Sequence, residues 1–497
     1  MGERHVAKLP HLLLSSGLAL IAAGCATQPD YVAPDMEAPP EWVNNTERAR
    51  PREALHELWW TALRDPAIDA LVRAALNDNP TLAEAAARVD EAMAIAAIER
   101  AQRQPRLDAM ASSARERVAV QGDRGGTTTS WQSTSSIGSV LSWELDLWGR
   151  AKENAIAAQG RLQARDADAR AARVSIAAQV AGGVLSLRAC NLLLAIREAD
   201  IASREQELEI VGARVRHGAL PRVDIAAAQS NLAAVRIEHI AQQESCARTI
   251  DALVAVTGQP ADEVRSLVTA SATDLHGDLA ASLPRPPALV PDLPATVLLQ
   301  HPAIVAAERE VAARWSEIAV ARAKRLPRFD LAAILTGQWI RAFGATDSFI
   351  AGSVDLDASA PIFDAGAGRA NIARADARYR EAVAMLNGTI RETVREIEDA
   401  LAAQDSALRR LEVAQSALAA ARYTLRANEA RREAGSISAF ELEEARRQLH
   451  RAQESAIVAA RDRAQAWVEL IRRTGSVDAG GAVAALAASF RAEVRGE

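Results

Sequence analysis

Between Trp131 and Val215 the alternation of apolar and polar residues changes period once, from two to seven. Before the change, Trp131, Ser133, Ser135, Ile137, Ser139, Leu141, Trp143 and Leu145 share one side of an extended strand, opposite Gln132, Thr134, Ser136, Ser142 and Glu144. After it, Val180, Leu187, Leu194, Ile201, Leu208 and Val215 recur every seventh residue, in a stretch rich in Ala, Leu, Arg, Glu and Gln that meets no proline until Pro221. The pattern predicts one helix over 150–217, a rod of roughly 100 Å. A second column, Ile225, Leu232, His239, Cys246 and Leu253, predicts a return helix over 224–256, antiparallel to the first about a turn at Gly218.

The plan then repeats. Pro80 matches Pro302 and Pro105 matches Pro327, each 222 residues on, and Gln104-Pro-Arg-Leu-Asp108 corresponds to Leu326-Pro-Arg-Phe-Asp330. Asp146 to Arg150 corresponds to Asp364 to Arg369, while Gly218, Leu232 and Gly258 match Gly435, Leu449 and Gly475 at an offset of 217. The first repeat, 58–260, is expected to hold a helix over 80–104, a β-hairpin over 107–145 and the two rods. Asp65 before Pro66, and Asn79 before Pro80, are expected helix starts. The second repeat, 298–475, is expected to hold a helix over 302–326, a hairpin over 328–362 and rods over 368–433 and 437–473. In its hairpin Phe329, Leu331, Ala333, Leu335 and Trp339 alternate on one strand, and Ile350, Val354, Leu356, Ala358 and Ile362 on the other. Residues 261–297 read as a proline-rich linker and 476–497 as a disordered tail.

Four strands cannot close a barrel, and an open sheet in lipid leaves unsatisfied edges. Three copies would supply twelve strands, with heptad-bearing rods below them. Composition fits hollow packing. Apolar residues are 49% of the chain but aromatics only 4%, so the apolar content is largely alanine, which permits close helix approach without a thick core. The net charge of −6 and the absence of a dense basic stretch exclude a nucleic-acid footprint.

The N-terminus reads as an address. Arg4 and Lys8 precede an apolar run too short to span a bilayer, so 1–24 reads as a signal peptide. Ala22-Ala23-Gly24-Cys25 resembles a bacterial lipobox with Cys25 as the lipidated residue, and Ala26 after it favours outer-membrane sorting. Residues 25–57 then form a lipidated, extended tether. Two cysteines remain. Cys190 lies 28 residues before Gly218 and Cys246 lies 28 after it, so the paired rods set them at one height and predict a disulfide between them in an oxidising periplasm.

The stretch Trp59-Trp60, Asp65-Pro66, Ala75-Leu76, Asn79-Pro80, together with Leu147-Trp148-Gly149-Arg150, Arg214 to Gly218 and the duplicated plan, resembles the NodT/OprM-type outer membrane factors of the TolC superfamily. These are lipoproteins of tripartite efflux systems. The resemblance implies a mixed α and β membrane protein, a trimeric channel-tunnel with a twelve-stranded transmembrane β-barrel and a long periplasmic helical barrel. It implies as partners a periplasmic adaptor, an inner-membrane pump of the RND type and outer-membrane lipid. It also implies a periplasmic gate at Leu425 and Glu429, one helical turn apart, with Arg431 and Arg432 beside them, and an adaptor contact at the helix tips through Arg214, Gly218, Gly435 and Ser436. The chain departs from the family pattern at Gln300-His301-Pro302-Ala303, where Arg-Pro-Asp is favoured, and at Val215, where an aromatic residue is usual.

No cofactor or metal site is expected. The eight histidines form no His-Glu-x-x-His, and there is no Cys-x-x-Cys and no phosphate-binding Gly-x-x-x-x-Gly-Lys. Gly366-Ala-Gly368 reads as a flexible strand-to-helix junction and His239 as a packed histidine. The expected function is therefore an efflux channel, not an enzyme. The alternatives are the outer-membrane channel of a type I protein secretion system and a pore-less periplasmic coiled-coil scaffold.

Overall fold

The computed structural model describes residues 29–36, 38–44, 58–121, 125, 127–270, 282–287 and 294–475. The signal peptide, Cys25 and the tail 476–497 lie outside these residues.

The elements run in order α1 (Pro66–Asp78), α2 (Pro80–Ala101), β1 (Arg106–Gln121), β2 (Thr127–Glu144), α3 (Arg150–Arg216), α4 (Val223–Thr257), α5 (Ala261–Ala270), α6 (Pro294–Gln300), α7 (Pro302–Ala323), β3 (Arg328–Ala342), β4 (Ala345–Ser359), α8 (Ala367–Glu433) and α9 (Ala439–Thr474), after a short 3-10 turn at Trp59–Leu63. Asp65 starts α1, its carboxylate accepting from the N–H groups of Ala67 and Ile68, and Asn79 starts α2 by accepting from Thr81 and Leu82. The two expected rods, α3 and α8, are each 67 residues without interruption.

The chain divides into two compact units, one of residues up to 35 with 88–166 and 306–386, the other of 36–87 with 167–305 and 387–497. The first holds the sheet. Its strands lie in the order β1-β2-β3-β4, every pair antiparallel, so that the hairpins of the two repeats meet along β2 and β3. Asp146 and Asp364 each tie a strand to the helix that follows it, through different backbone partners. The Asp146 carboxylate accepts from the N–H groups of Ala151 and Lys152, and that of Asp364 from those of Gly366 and Gly368. Gly149 and Gly366 supply the positive φ that each turn needs, at 73° and 92°. Trp148 closes the first junction by donating from Nε1 to the Pro327 carbonyl at 2.6 Å.

The second unit holds the apolar core. Trp59, Trp60 and α1 pack on Val180, Val184, Leu187, Leu253 and Trp467. α3 approaches α4 so closely at Gly183 that an added Cβ would stand 2.7 Å from Leu253 Cδ2. A second cluster joins Leu192, Leu193 and Ile196 of α3 to Leu411 and Leu418 of α8 and Ile457 of α9.

Three expectations need correction. The segment 261–297 is not a plain linker, because α5 buries Val264 and Val268 in the core and α6 buries Val297 and Leu298. The described part of the tether is extended but docked. Trp42 is buried among Val297, Ile397, Ala400, Leu401 and Leu470, and the Glu398 carboxylate accepts from the N–H groups of Val43 and Asn44 at 2.7 and 2.9 Å. In the first unit, Trp315 Nε1 donates to the Pro29 carbonyl, while burial and the Glu308 carboxylate push the Tyr31 hydroxyl up. The third correction concerns the heptad column of α3. It is fully buried at Val180 and Leu187 but only half-buried at Ile201, Leu208 and Val215, where Ser203, Glu207 and Val211 are buried instead. The lower part of this rod turns a polar seam inward.

Candidate functional site

The predicted gate and adaptor-contact residues fall at the ends of the rods, in the second unit. Both tips have one construction. At the first, Gly218 (φ 73°) follows α3 and the Ala219 N–H donates to the Arg214 carbonyl at 2.8 Å. At the second, Gly435 (φ 70°) follows α8 and the Ser436 N–H donates to the Arg431 carbonyl at 2.8 Å. This glycine-terminated double turn satisfies the last helical carbonyls and reverses the chain. Ser436 Oγ adds a bond to the Arg431 carbonyl, and Arg432 donates to the Ile437 carbonyl at 3.2 Å. Ser438 and Glu441 then form a reciprocal capping box that starts α9. Arg214, Arg431 and Arg432 are exposed, so each tip presents arginine around a small-residue turn.

Leu425 and Glu429 lie on α8 one turn apart and half-buried. Arg432 is engaged in the tip turn, and Arg431 reaches back toward Asn428 Oδ1 at 3.4 Å. The structure thus sets Leu425 and Glu429 on one stripe and gives the two arginines to the turn beyond it.

A polar seam that the sequence reading missed runs up from the tips between α3 and α9. Ser203 donates to Glu443, and Arg447 donates to Glu207 at 3.0 Å and to Glu444 at 2.6 Å. All of these except Glu444 are buried. Above them His450 Nδ1 stands 3.7 Å from Asp200 Oδ1. Burial works against the Asp200 carboxylate, but the nearby His450 ring and the charges of Arg204 and Arg447 hold it below the usual carboxylate range. The signal was present in the spacing. Asp200, Ser203 and Glu207 recur at i, i+3 and i+7 and Glu443, Arg447 and His450 at i, i+4 and i+7, each a helical stripe.

Higher still, Cys190 on α3 faces Cys246 on α4 with Cα atoms 5.7 Å apart and sulfurs at bonding distance. Arg197 with Glu238, and Arg236 with Glu205, pair across the same two helices at 2.5 and 2.7 Å. Among the described residues no group of His, Cys, Asp and Glu is arranged to hold a metal ion.

His301 immediately precedes α7. Its Nε2 is 3.1 Å from the Arg473 carbonyl, so Nε2 carries the proton, and burial depresses its pKa below the ordinary value despite that bond and the Glu396 charge. The unfolded chain takes up a proton as pH falls through about 6.5 while the folded imidazole stays neutral, so stability is full above that pH and declines below it. Thermal midpoints at pH 7.5 and 5.5 should therefore differ more in the natural chain than in His301→Gln, which keeps a donor to the same carbonyl. Equal differences would remove the role.

Both repeats are also where the relatives match. The sequence profile of the outer membrane efflux protein family covers residues 71–259 and 293–476. The chain belongs to the outer membrane efflux protein family. Outer membrane protein OprJ of Pseudomonas aeruginosa is 30% identical over 92% of this chain and 94% of its own. Nodulation protein T of Rhizobium leguminosarum bv. viciae is 25% identical over 92% of each. The solved outer-membrane channel OprN superposes with a TM-score of 0.75 at 24% identity, over 91% of this chain and 99% of that one. This member of the efflux protein family is of the NodT/OprM type, with the duplicated α and β channel fold and a place in the outer membrane. Its family is one of transport channels.

Proposed function

We propose that three copies of this chain close a twelve-stranded barrel in the outer membrane and continue as a periplasmic helical tunnel. A periplasmic adaptor and an inner-membrane pump of the RND type load small molecules into it. The observation that carries this reading is the sheet. β1 and β4 are its two outer strands, each with a partner on one side only. The strands are 15 to 18 residues long, enough to cross the apolar zone when about 9–11 residues suffice. A sheet of that length in lipid must close on further copies.

In this reading the chain is a conduit and not an enzyme, anchored by lipid on Cys25. The tips at Arg214 and Gly218, and at Gly435 and Ser436, meet the adaptor. Leu425 and Glu429 narrow the resting tunnel, with Arg431 and Arg432 holding the turn below them. The test is single-channel conductance of the detergent-extracted protein in a planar bilayer. Small resting steps are expected, rising several-fold in Glu429→Ala, because the acidic side chains of three copies would converge there. A monomer without conductance would sink the reading, and a conducting protein indifferent to Glu429→Ala would sink the gate alone.

A further inference from the structure

The two hairpins are copies down to their register. Arg106 faces Ser142 in the first and Arg328 faces Ser359 in the second, so matched positions are 222 residues apart on the first strands (106 to 328) and 217 on the second (142 to 359). The likeness reaches side chains. Arg106 Nε and Arg328 Nε each lie 2.8 Å from the aspartate two residues on, Asp108 and Asp330. The contact between β2 and β3 is therefore one worked example of how a second strand of this repeat meets a first strand. The edges β4 and β1 are the same two strands with that partner missing.

We propose that β4 of one copy pairs with β1 of the next in the register that β2 and β3 already show, setting Ile362 opposite Leu107 and Ile350 opposite Ala119. This rests on the trimer proposed above and specifies its seam. The transfer is direct: Leu145 donates its N–H to the Phe329 carbonyl at 2.8 Å, and the matched pair is Ile362 and Leu107. Leu145 and Phe329 are half-buried, whereas Ile362 is 101% exposed and Leu107 69%. Two large apolar side chains stand bare where their counterparts are covered.

Two further features select this register. Glu144 faces Asp330 in the row next to the Leu145 bond, where an antiparallel pair exchanges no hydrogen bonds. Pro361 falls at the Glu144 position, opposite Asp108, so its missing N–H is not needed there. A slip of one residue would put Pro361 in the bonded row and turn the apolar row of Ile350, Val354 and Leu356 away from the face that holds Leu107. A slip of two residues in one direction would set Asp355 directly against Glu116 without an arginine such as Arg328, which lies within 3.3 Å of Glu144 and 2.8 Å of Asp330 where those two carboxylates face each other, and in the other would carry Ile362 past the end of β1.

The experiment uses the full-length protein in membranes. Met110→Cys with Ser359→Cys creates a close, non-hydrogen-bonded pair in the proposed register, and Ser112→Cys or Asp108→Cys with Ser359→Cys creates the pairs slipped by two. Mild oxidation followed by non-reducing electrophoresis should give covalent dimers and trimers for the first pair and none for the others. Crosslinking at 108 or 112 would overturn the register while leaving the trimer intact. So would an absence of any crosslink in variants that run as detergent-stable trimers. A natural chain that runs as a monomer by light scattering would overturn the trimer itself and the seam with it.

Discussion

Asp65→Ala should destabilise the protein by about 3–5 kcal/mol, because it strands a buried arginine. The Arg188 guanidinium spends three of its nitrogens on two partners. Nε lies 2.6 Å from Asp65 Oδ2, one terminal nitrogen donates to Asp65 Oδ1 at 2.8 Å, and the other donates to the Val268 carbonyl at 3.1 Å. Both side chains are buried beside the tryptophan core. Asp65 also caps α1, so the substitution removes a helix start worth about 1 kcal/mol as well. Asp65→Asn separates the two effects, since an amide oxygen can still cap but supplies no charge. The double variant Asp65→Ala with Arg188→Met should recover part of the loss, because an apolar pair leaves no charge unpaired. Chemical unfolding of the detergent-solubilised protein measures all three. If Asp65→Ala unfolds within about 0.5 kcal/mol of the natural chain, as a surface change would, the pair does not hold α1.

Removing both thiols by Cys190→Ala with Cys246→Ala should lower stability by about 4 kcal/mol in the chain-entropy account of a crosslink, in which the benefit grows with the length of the closed loop. The separation here is 56 residues. The loss is expected as a lower unfolding midpoint and as faster amide exchange along α3 and α4, with exchange in α8 little changed. The bond itself is checked first. Mass spectrometry of the unreduced protein should find the peptides of Cys190 and Cys246 linked, and alkylation of both thiols without reductant would end the argument. The same spectra read the N-terminal peptide, where a diacylglyceryl mass on Cys25 tests the anchor.

What could be read from the sequence was whatever repeats at short range. The heptads located α3 and α4, and the internal repeat carried them to α8 and α9, each to within a residue or two, because a helix writes its neighbours into a fixed spacing. Asp65 was legible as a cap, since Pro66 follows it. Its second role was not, because Arg188 lies 123 residues away and no local pattern announces that pairing. The polar seam was overlooked for a related reason. Leu208 continues the apolar column and draws attention from Glu207, whose partner Arg447 is 240 residues distant. Helices α5 and α6 were hidden by the prolines around them. Those prolines start helices as readily as they break them: Pro260 precedes α5 and Pro294 opens α6. Trp42 was lost in a polar, proline-rich segment and finds its pocket only after α6, α8 and α9 have assembled.

The register of the sheet sets an order of folding. Each hairpin pairs residues close in sequence, Gln121 with Thr127 and Ala342 with Ala345 at their turns, so each can zip as its own segment reaches the periplasm. The join between β2 and β3 pairs Ser133 with Arg341 and must wait for more than two hundred intervening residues to arrive. Cys190 and Cys246 lie within that wait. The α3 and α4 hairpin can be oxidised while the second half of the chain is still crossing the inner membrane, before its own sheet exists to be inserted. A periplasm short of thiol oxidant would then act early, on the nascent chain, leaving unjoined hairpins exposed to chaperones and proteases instead of slowly weakening channels already in place.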